Sequence, residues 1–344
     1  MPPSKSTPRS QLPVEAFAEA VISGDRSRLA QAITTVESVH EDGESTAREL
    51  LTLLLPHSGR SHRIGITGVP GVGKSTLIET LGLHIIDKGH RVAVLAVDPT
   101  SSISGGSILG DKSRMPQLAN HPDAFVRPSP NALAPGGVGR RTRELQILCE
   151  AAGFDIVIIE TVGVGQSEIL VSEMVDTFVA LMLPGAGDEL QGLKKGVIEL
   201  ADVIVVNKAD GDNRVSALAA KREYESALRY RQQQPEDWLP PVDVISARSG
   251  EGVSRLWGQI ERHYEFLNRD DAIAKRREAQ RRKWVSTLLE EQVIRSLFRS
   301  PKAQSKLDEL KERLLAGEIS SPEAVDELIG VYRKGEESPS VAED

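Results

Sequence analysis

The chain has 344 residues, a formal net charge of −8 at pH 7 and a single cysteine, Cys149. That length fits one α/β domain of about 200 residues with helical additions, and the acidic balance argues against a protein that coats nucleic acid. One cysteine excludes an internal disulfide framework, and with no run of 18 apolar residues and a polar, proline-containing start, neither a membrane span nor a signal peptide is predicted; the expected location is cytoplasmic.

Residues 1–12 are predicted to be disordered, and 13–60 form a helical segment with helices near 14–23, 26–39 and 45–55. A short apolar strand at 63–67 then feeds Gly68-Val69-Pro70-Gly71-Val72-Gly73-Lys74-Ser75, a full G-x-x-x-x-G-K-S phosphate loop. Thr76 and the helical pattern after it complete the strand–loop–helix context. Glycines let successive backbone N–H groups converge on phosphate oxygens, and the helix adds its positive end. Lys74 is expected to reach the β- and γ-phosphates and the Ser75 hydroxyl to take one Mg²⁺ position. The chain is therefore expected to bind a nucleoside triphosphate, with Gly68, Gly71, Val72, Gly73, Lys74, Ser75 and Thr76 at the phosphates.

Two more strands end in carboxylates. The strand at 91–97 leads to Asp98, and that at 154–159 leads to Glu160-Thr161-Val162-Gly163. A carboxylate at a strand tip beside a phosphate loop is where Mg²⁺ or its water shell is held, although either residue alone could be a helix cap or a solvated strand end. Val164 stands where many small GTPases place a glutamine that orients the attacking water. Unaided hydrolysis is accordingly expected to be slow, with Gln166 a weaker candidate for that task.

The base is read further along. A buried-type strand at 201–206 ends in Asn207-Lys208-Ala209-Asp210, the N-K-x-D guanine-reading element. Its aspartate accepts from N1–H and the exocyclic amine of guanine, and adenine would leave that charged acceptor unpaired at a cost of ~1.5–3 kcal/mol. Ser246-Ala247 after the next strand reads as the second base-side loop. GTP is the expected nucleotide.

Several blocks resemble the MeaB/ArgK family of P-loop GTPases. These are Asp98-Pro99-Thr100-Ser101-Ser102, the stretch from Gly105 to Met115, Glu160 to Glu168, and Leu183 to Gly196; the resemblance covers residues 12–335. It implies a G-protein chaperone of an adenosylcobalamin-dependent acyl-CoA mutase. Asp98, Asp111 and Glu160 would surround Mg²⁺ and its waters. Lys112 and Arg114 would lie on the first switch loop, with Arg114 as an internal arginine finger. The 184–196 stretch would be an additional switch loop sensing the client, through Asp188, Gln191 and Lys194. The family continues its R-P-S-P block with T-L-G-G, whereas Arg127-Pro128-Ser129-Pro130 runs into Asn131-Ala132-Leu133 here. The client is thereby left open between methylmalonyl-CoA mutase and its isobutyryl- and 2-hydroxyisobutyryl-CoA relatives.

The expected fold is α/β, a P-loop GTPase domain at 61–266 with a mostly parallel sheet covered by helices on both faces. A helical segment at 267–335 and a disordered acidic tail at 336–344 follow. The basic stretch 275–283 lacks interleaved aromatics and reads as a solvated helix face. Trp284, Leu288, Val293, Leu297 and Phe298 recur at helical spacing as core or as a dimer seam, and the resemblance favours a homodimer. No cobalamin-binding motif is present, so cobalamin is expected on the partner. Two other classes are compatible with a phosphate loop: an ATP-dependent kinase or transport ATPase, and a GTP-driven metal-insertion chaperone.

Overall fold

Short runs rich in valine and isoleucine build one sheet of seven strands: β1 (His62–Gly68), β2 (Val92–Val97), β3 (Ala124–Ser129), β4 (Ile156–Thr161), β5 (Thr177–Met182), β6 (Val203–Val206) and β7 (Val242–Val244). The order is β3-β2-β4-β1-β5-β6-β7 and every pairing is parallel. The computed structural model describes residues 13–37, 41–97, 114–129, 137–161, 166–185, 191–229 and 237–336.

Parallel strands buried on both faces need apolar residues at every position, and β4, β5 and β6 are buried throughout. Alternation sends Ile156 and Ile158 to one face and Val157 and Ile159 to the other. On the first face lie α4 (Lys74–Ile86), α5 (Pro116–Asn120) and α10 (Val253–Leu267), through Leu77, Leu81, Leu118, Leu256 and Trp257. On the second lie α1 (Val14–Ile22), α2 (Arg26–Glu37), α3 (Glu41–Leu54) and α6 (Gly137–Ala151). Leu29, Ile33, Leu50 and Leu54 share a core there with Val157, Ile159 and Phe178. Cys149 is buried among them, and burial pushes its thiol well above the ordinary range. The α/β fold with helices on both faces is thus as expected.

The chain continues through α7 (Gln166–Ser172), α8 (Gln191–Leu200), α9 (Asn213–Leu228), α11 (Ala272–Arg299), α12 (Pro301–Leu315) and α13 (Ser321–Glu336). Two compact units result, Met1–Gln280 and Arg281–Asp344. Within the second, Ser300 caps α12 by accepting from Ala303 N at 3.3 Å, and Ser320 with Glu323 forms a capping box at α13. Among the described residues no helix is long and apolar enough to cross a membrane.

Two local expectations are corrected, and one strand is added to the sequence reading. Residues 124–129 form an edge strand that the Arg127-Pro128-Ser129 sequence hid; an edge position tolerates a proline that could not donate inside a sheet. Residues 191–196, read as part of a glycine-rich loop, are the first turns of α8; Gly192 and Gly196 each cost about 1 kcal/mol in a helix and so mask its pattern. The basic stretch is not wholly solvated. Arg277 is buried, its guanidinium paired with Asp176 at 2.6 and 2.8 Å and donating to the carbonyls of Gly59 and Ser61. Arg276 meets Asp202 at 3.1 Å.

Candidate nucleotide-binding site

In this order β2, β3 and β4 lie on one side of β1 and β5 to β7 on the other, so the chain changes direction at β1. Open parallel sheets bind ligands at the carboxyl ends of strands beside such a reversal. The phosphate loop leaves β1 there. Gly68, Gly71 and Gly73 have φ of 152°, 76° and 100°, which L side chains rarely adopt. Space is equally strict: a Cβ on Gly68 would lie 2.6 Å from the Leu181 carbonyl oxygen, and one on Gly73 would lie 2.6 Å from Asn207 Nδ2.

Lys74 opens α4 and is buried, its Nζ donating to the carbonyls of Gly68 at 2.8 Å and Val69 at 3.3 Å. Burial pulls the ammonium below its ordinary value. The Glu160 and Glu168 carboxylates oppose this, and the Arg114 guanidinium reinforces it. A buried cation held mainly by two carbonyls is well suited to a polyanion. Ser75 Oγ donates to Glu160 Oε1 at 3.0 Å, which brings the loop hydroxyl and the tip of β4 together. Thr161 Oγ1, next to Glu160, donates to Thr67 Oγ1 at 2.8 Å and fixes the same strand ends.

The base-side elements are tied to this loop. Asn207, at the end of β6, is buried; its Nδ2 donates to the Val72 carbonyl at 2.8 Å, and its Oδ1 accepts from Ala247 N at 2.9 Å. Its amide is thus spent on joining two loops, and the Val72 side chain lies in the core. Lys208 is exposed and takes a left-handed φ of 59°, the strained turn that swings the chain from β6 towards Asp210. Asp210 is exposed and so can meet a base. Ser246 closes its own turn, bridging Glu251 through its N–H at 2.9 Å. Thr76 is exposed on the first turn of α4.

A family model described as methylmalonyl Co-A mutase-associated GTPase MeaB matches residues 29–302. The chain belongs to the MeaB family. A probable GTPase of Mycobacterium tuberculosis is 51% identical over 318 residues, covering 92% of this chain and 95% of the relative. GTPase ArgK of Escherichia coli is 46% identical over 275 residues, covering 80% and 83%. A mouse mitochondrial methylmalonic aciduria type A homolog is 41% identical over 330 residues, covering 93% and 80%. A crystal structure of a LAO/AO transport system kinase superposes with a TM-score of 0.73 at 35% identity, covering 93% of this chain and 99% of that one. The protein is a GTPase of this family, and binding of a guanine nucleotide follows.

In this MeaB-family site Lys74 is held by the carbonyls of Gly68 and Val69, Ser75 meets Glu160, and Asn207 joins Val72 to Ala247, whereas Ser246 bonds to Glu251 and Ser249. Asp98, Asp111, Lys112 and Asp188 lie outside the described residues, as does Val164. Gln191 and Lys194 fall on α8. Sequence reasoning missed Thr80, whose Oγ1 donates to the Ala247 carbonyl at 2.9 Å and alternatively to the Thr76 carbonyl at 3.0 Å. Its cross-chain partner is 167 positions away, so no local pattern signals it.

Proposed function

We propose that this GTPase gates cofactor loading of an adenosylcobalamin-dependent acyl-CoA mutase, methylmalonyl-CoA mutase or a close relative, and protects or reactivates it. The observation that carries the reading is the family match, whose description names that mutase, on a chain with a built phosphate loop. Cobalamin stays on the mutase. GTP binds with its phosphates over Gly68, Gly71, Gly73 and Lys74 and its base against Asp210.

The Ser75 hydroxyl and the Glu160 carboxylate, 3.0 Å apart, are hard oxygen donors at the phosphate position. Mg²⁺ keeps most of its waters and takes one or two protein oxygens plus phosphates, so this pair fits it, with Asp98 and Asp111 as further candidates. When bound, Mg²⁺ neutralises charge on the β- and γ-phosphates. Lys74 exchanges its carbonyl partners for phosphate oxygens, and Glu160 orients a water. Hydrolysis is slow in isolation, because Val164 offers no group to position the nucleophile. Arg114 completes the site in cis in the complex with the partner, and Lys112 assists on the same loop. Asp188, Gln191 and Lys194 carry the nucleotide state to the mutase.

The exposed row Val285, Leu289, Val293, Ile294 and Phe298 on α11 supports a homodimer. The decisive experiment is the GTPase rate of the purified protein with and without the acyl-CoA mutase of the same organism, alongside cobalamin transfer. No stimulation and no effect of nucleotide state on transfer would refute the reading. The alternative reading is an ATP-dependent role, of the kind for which the structurally similar transport-system kinase is named. Competition of GDP against ADP separates the two, and the Asn207–Asp210 element favours GDP.

A further inference from the structure

We infer that Glu79 is a positioning residue: it docks the segment carrying Arg114 onto the helix of the phosphate loop. The inference rests on the reading of Arg114 as the group that completes the catalytic site. α4 begins at Lys74, so anything gripped by α4 is held in register with the phosphates.

Glu79 lies in the second turn of α4, and its Oε1 accepts from Gln117 N at 2.8 Å. Gln117 is the second residue of α5, a helix of only five residues. Such a helix does not hold itself together, because nucleation costs more than so few hydrogen bonds return. Its first N–H groups have no acceptor within the helix. Pro116 has no N–H to offer, and Met115 gives no side-chain cap. Glu79 therefore supplies from another helix the acceptor that α5 lacks, and as a carboxylate it also suits the positive end of the helix.

A second contact lies one turn further along α4. A Cβ on Gly82 would meet Leu118 Cδ2 at 2.8 Å, so α5 lies close against α4 only because residue 82 has no side chain. Met115 and Leu118 are fully buried in the same core cluster as Leu81 and Ile85. Residues 115–118 are thus clamped by one polar and one apolar contact.

Arg114 immediately precedes this clamp and is exposed, and its charge is felt at Lys74. An arginine that stabilises a transferring phosphoryl group must be placed closely, since a misplacement of about 1 Å can cost ~100-fold in rate. The clamp fixes where the chain of Arg114 starts, and Glu79 is its polar half.

The test compares the full-length variants Glu79→Ala, Glu79→Gln, Arg114→Ala and the double variant Glu79→Ala/Arg114→Ala. Single-turnover GTP hydrolysis is followed with and without the acyl-CoA mutase of the same organism, together with GTP affinity. This hydrogen bond is exposed to solvent, so its loss corresponds to a change of roughly two- to tenfold in the docked population. Glu79→Ala should therefore slow hydrolysis by up to that factor while GTP affinity changes less than about threefold. Glu79→Gln, which keeps an oxygen acceptor, should restore most of the rate. The double variant should be no slower than Arg114→Ala, because a clamp has nothing left to position once the arginine is gone.

If Arg114→Ala is slow while Glu79→Ala hydrolyses at the wild-type rate, the clamp is refuted and the arginine reading stands. Losses that add in the double variant also refute it, placing the action of Glu79 elsewhere. If Arg114→Ala hydrolyses normally in both conditions, the arginine reading falls and takes this inference with it.

Discussion

Asn207 makes the sharpest test of the site, because its two hydrogen bonds have opposite polarity. Nδ2 donates to the Val72 carbonyl at 2.8 Å and Oδ1 accepts from Ala247 N at 2.9 Å, in a buried setting. Asn207→Ala leaves a carbonyl in the phosphate loop and an amide in the base-side loop without partners. Each unpaired buried group costs ~1–3 kcal/mol, so ~2–6 kcal/mol of loop ordering is lost before any water re-enters. Domains have only ~5–15 kcal/mol in hand, so the variant should fold with a lowered melting temperature. Nucleotide binding must restore the lost order from its own free energy, and GDP affinity should fall by roughly a hundredfold or more. Asn207→Asp should be worse than alanine, since it keeps the acceptor for Ala247 but sets a carboxylate oxygen against the Val72 carbonyl. Calorimetric titration of GDP into the three proteins reads this order directly. GDP affinity in Asn207→Ala within about threefold of wild type, or Asn207→Asp tighter than Asn207→Ala, would refute the strut.

Asp210→Asn should weaken GTP by ~1.5–3 kcal/mol or more and favour xanthine nucleotides, whose C2 carbonyl suits an amide donor; a variant that still prefers GTP to XTP would exclude Asp210 from base reading. His62 is buried under Tyr264 at 4.0 Å, with its Nε2 2.8 Å from Thr177 Oγ1, and burial lowers its pKa to about 3 despite Asp176, with His263, Arg277 and His90 also disfavouring charge. Because the folded value lies below the unfolded one of about 6.5, the unfolded chain gains the proton first. This contribution to stability is complete above about pH 6.5 and declines towards pH 3, reaching about 2 kcal/mol lost at pH 5. Denaturant unfolding of wild type and His62→Gln across pH 5–7 checks this, with the variant expected to show the shallower slope.

The parts of the site that could be read from the sequence are those whose chemistry is local. Gly68 to Ser75 announces itself because its φ requirements and its lysine sit in one octapeptide, and Asn207 to Asp210 because a buried strand ends in it. The role of Asn207 was half legible: the tetrapeptide implied a base reader, whereas the buried amide serves Val72 and Ala247, partners that are far apart in sequence. Thr80 and Glu79 were invisible for the same reason. Arg277 looked like one cation in a basic run, and only the fold reveals Asp176 opposite it. Burial opposes ionisation of Asp176, yet the Arg277 guanidinium holds its carboxyl below the ordinary value. Pro128 concealed β3, and Gly192 and Gly196 concealed the start of α8, because propensity is a weak guide where tertiary packing decides.

Phosphate and base recognition form one closed ring of contacts. Val72 is joined to Asn207, Asn207 to the Ala247 N–H, the Ala247 carbonyl to Thr80, and Thr80 sits on α4, which begins at Lys74. Neither loop can shift without the other, so this ring is suited to holding GTP and GDP alike. The other flank differs: Ser75 Oγ donates to Glu160 Oε1 at 3.0 Å at the tip of β4, just ahead of residues 162–165. A switch needs a contact that differs between its two ligand states. That contact belongs on the Glu160 flank, where the γ-phosphate would sit, and not in the ring. Thr80→Val, which removes the hydroxyl but keeps the shape, should weaken GTP and GDP by the same factor, about two- to tenfold. Glu160→Gln retains an oxygen for Ser75 but drops the charge, and should slow hydrolysis and change the ratio of GTP to GDP affinity. Measured affinities for both nucleotides in both variants decide the matter. A Thr80→Val protein whose GTP-to-GDP ratio moves as far as that of Glu160→Gln would show that the ring, too, senses the γ-phosphate.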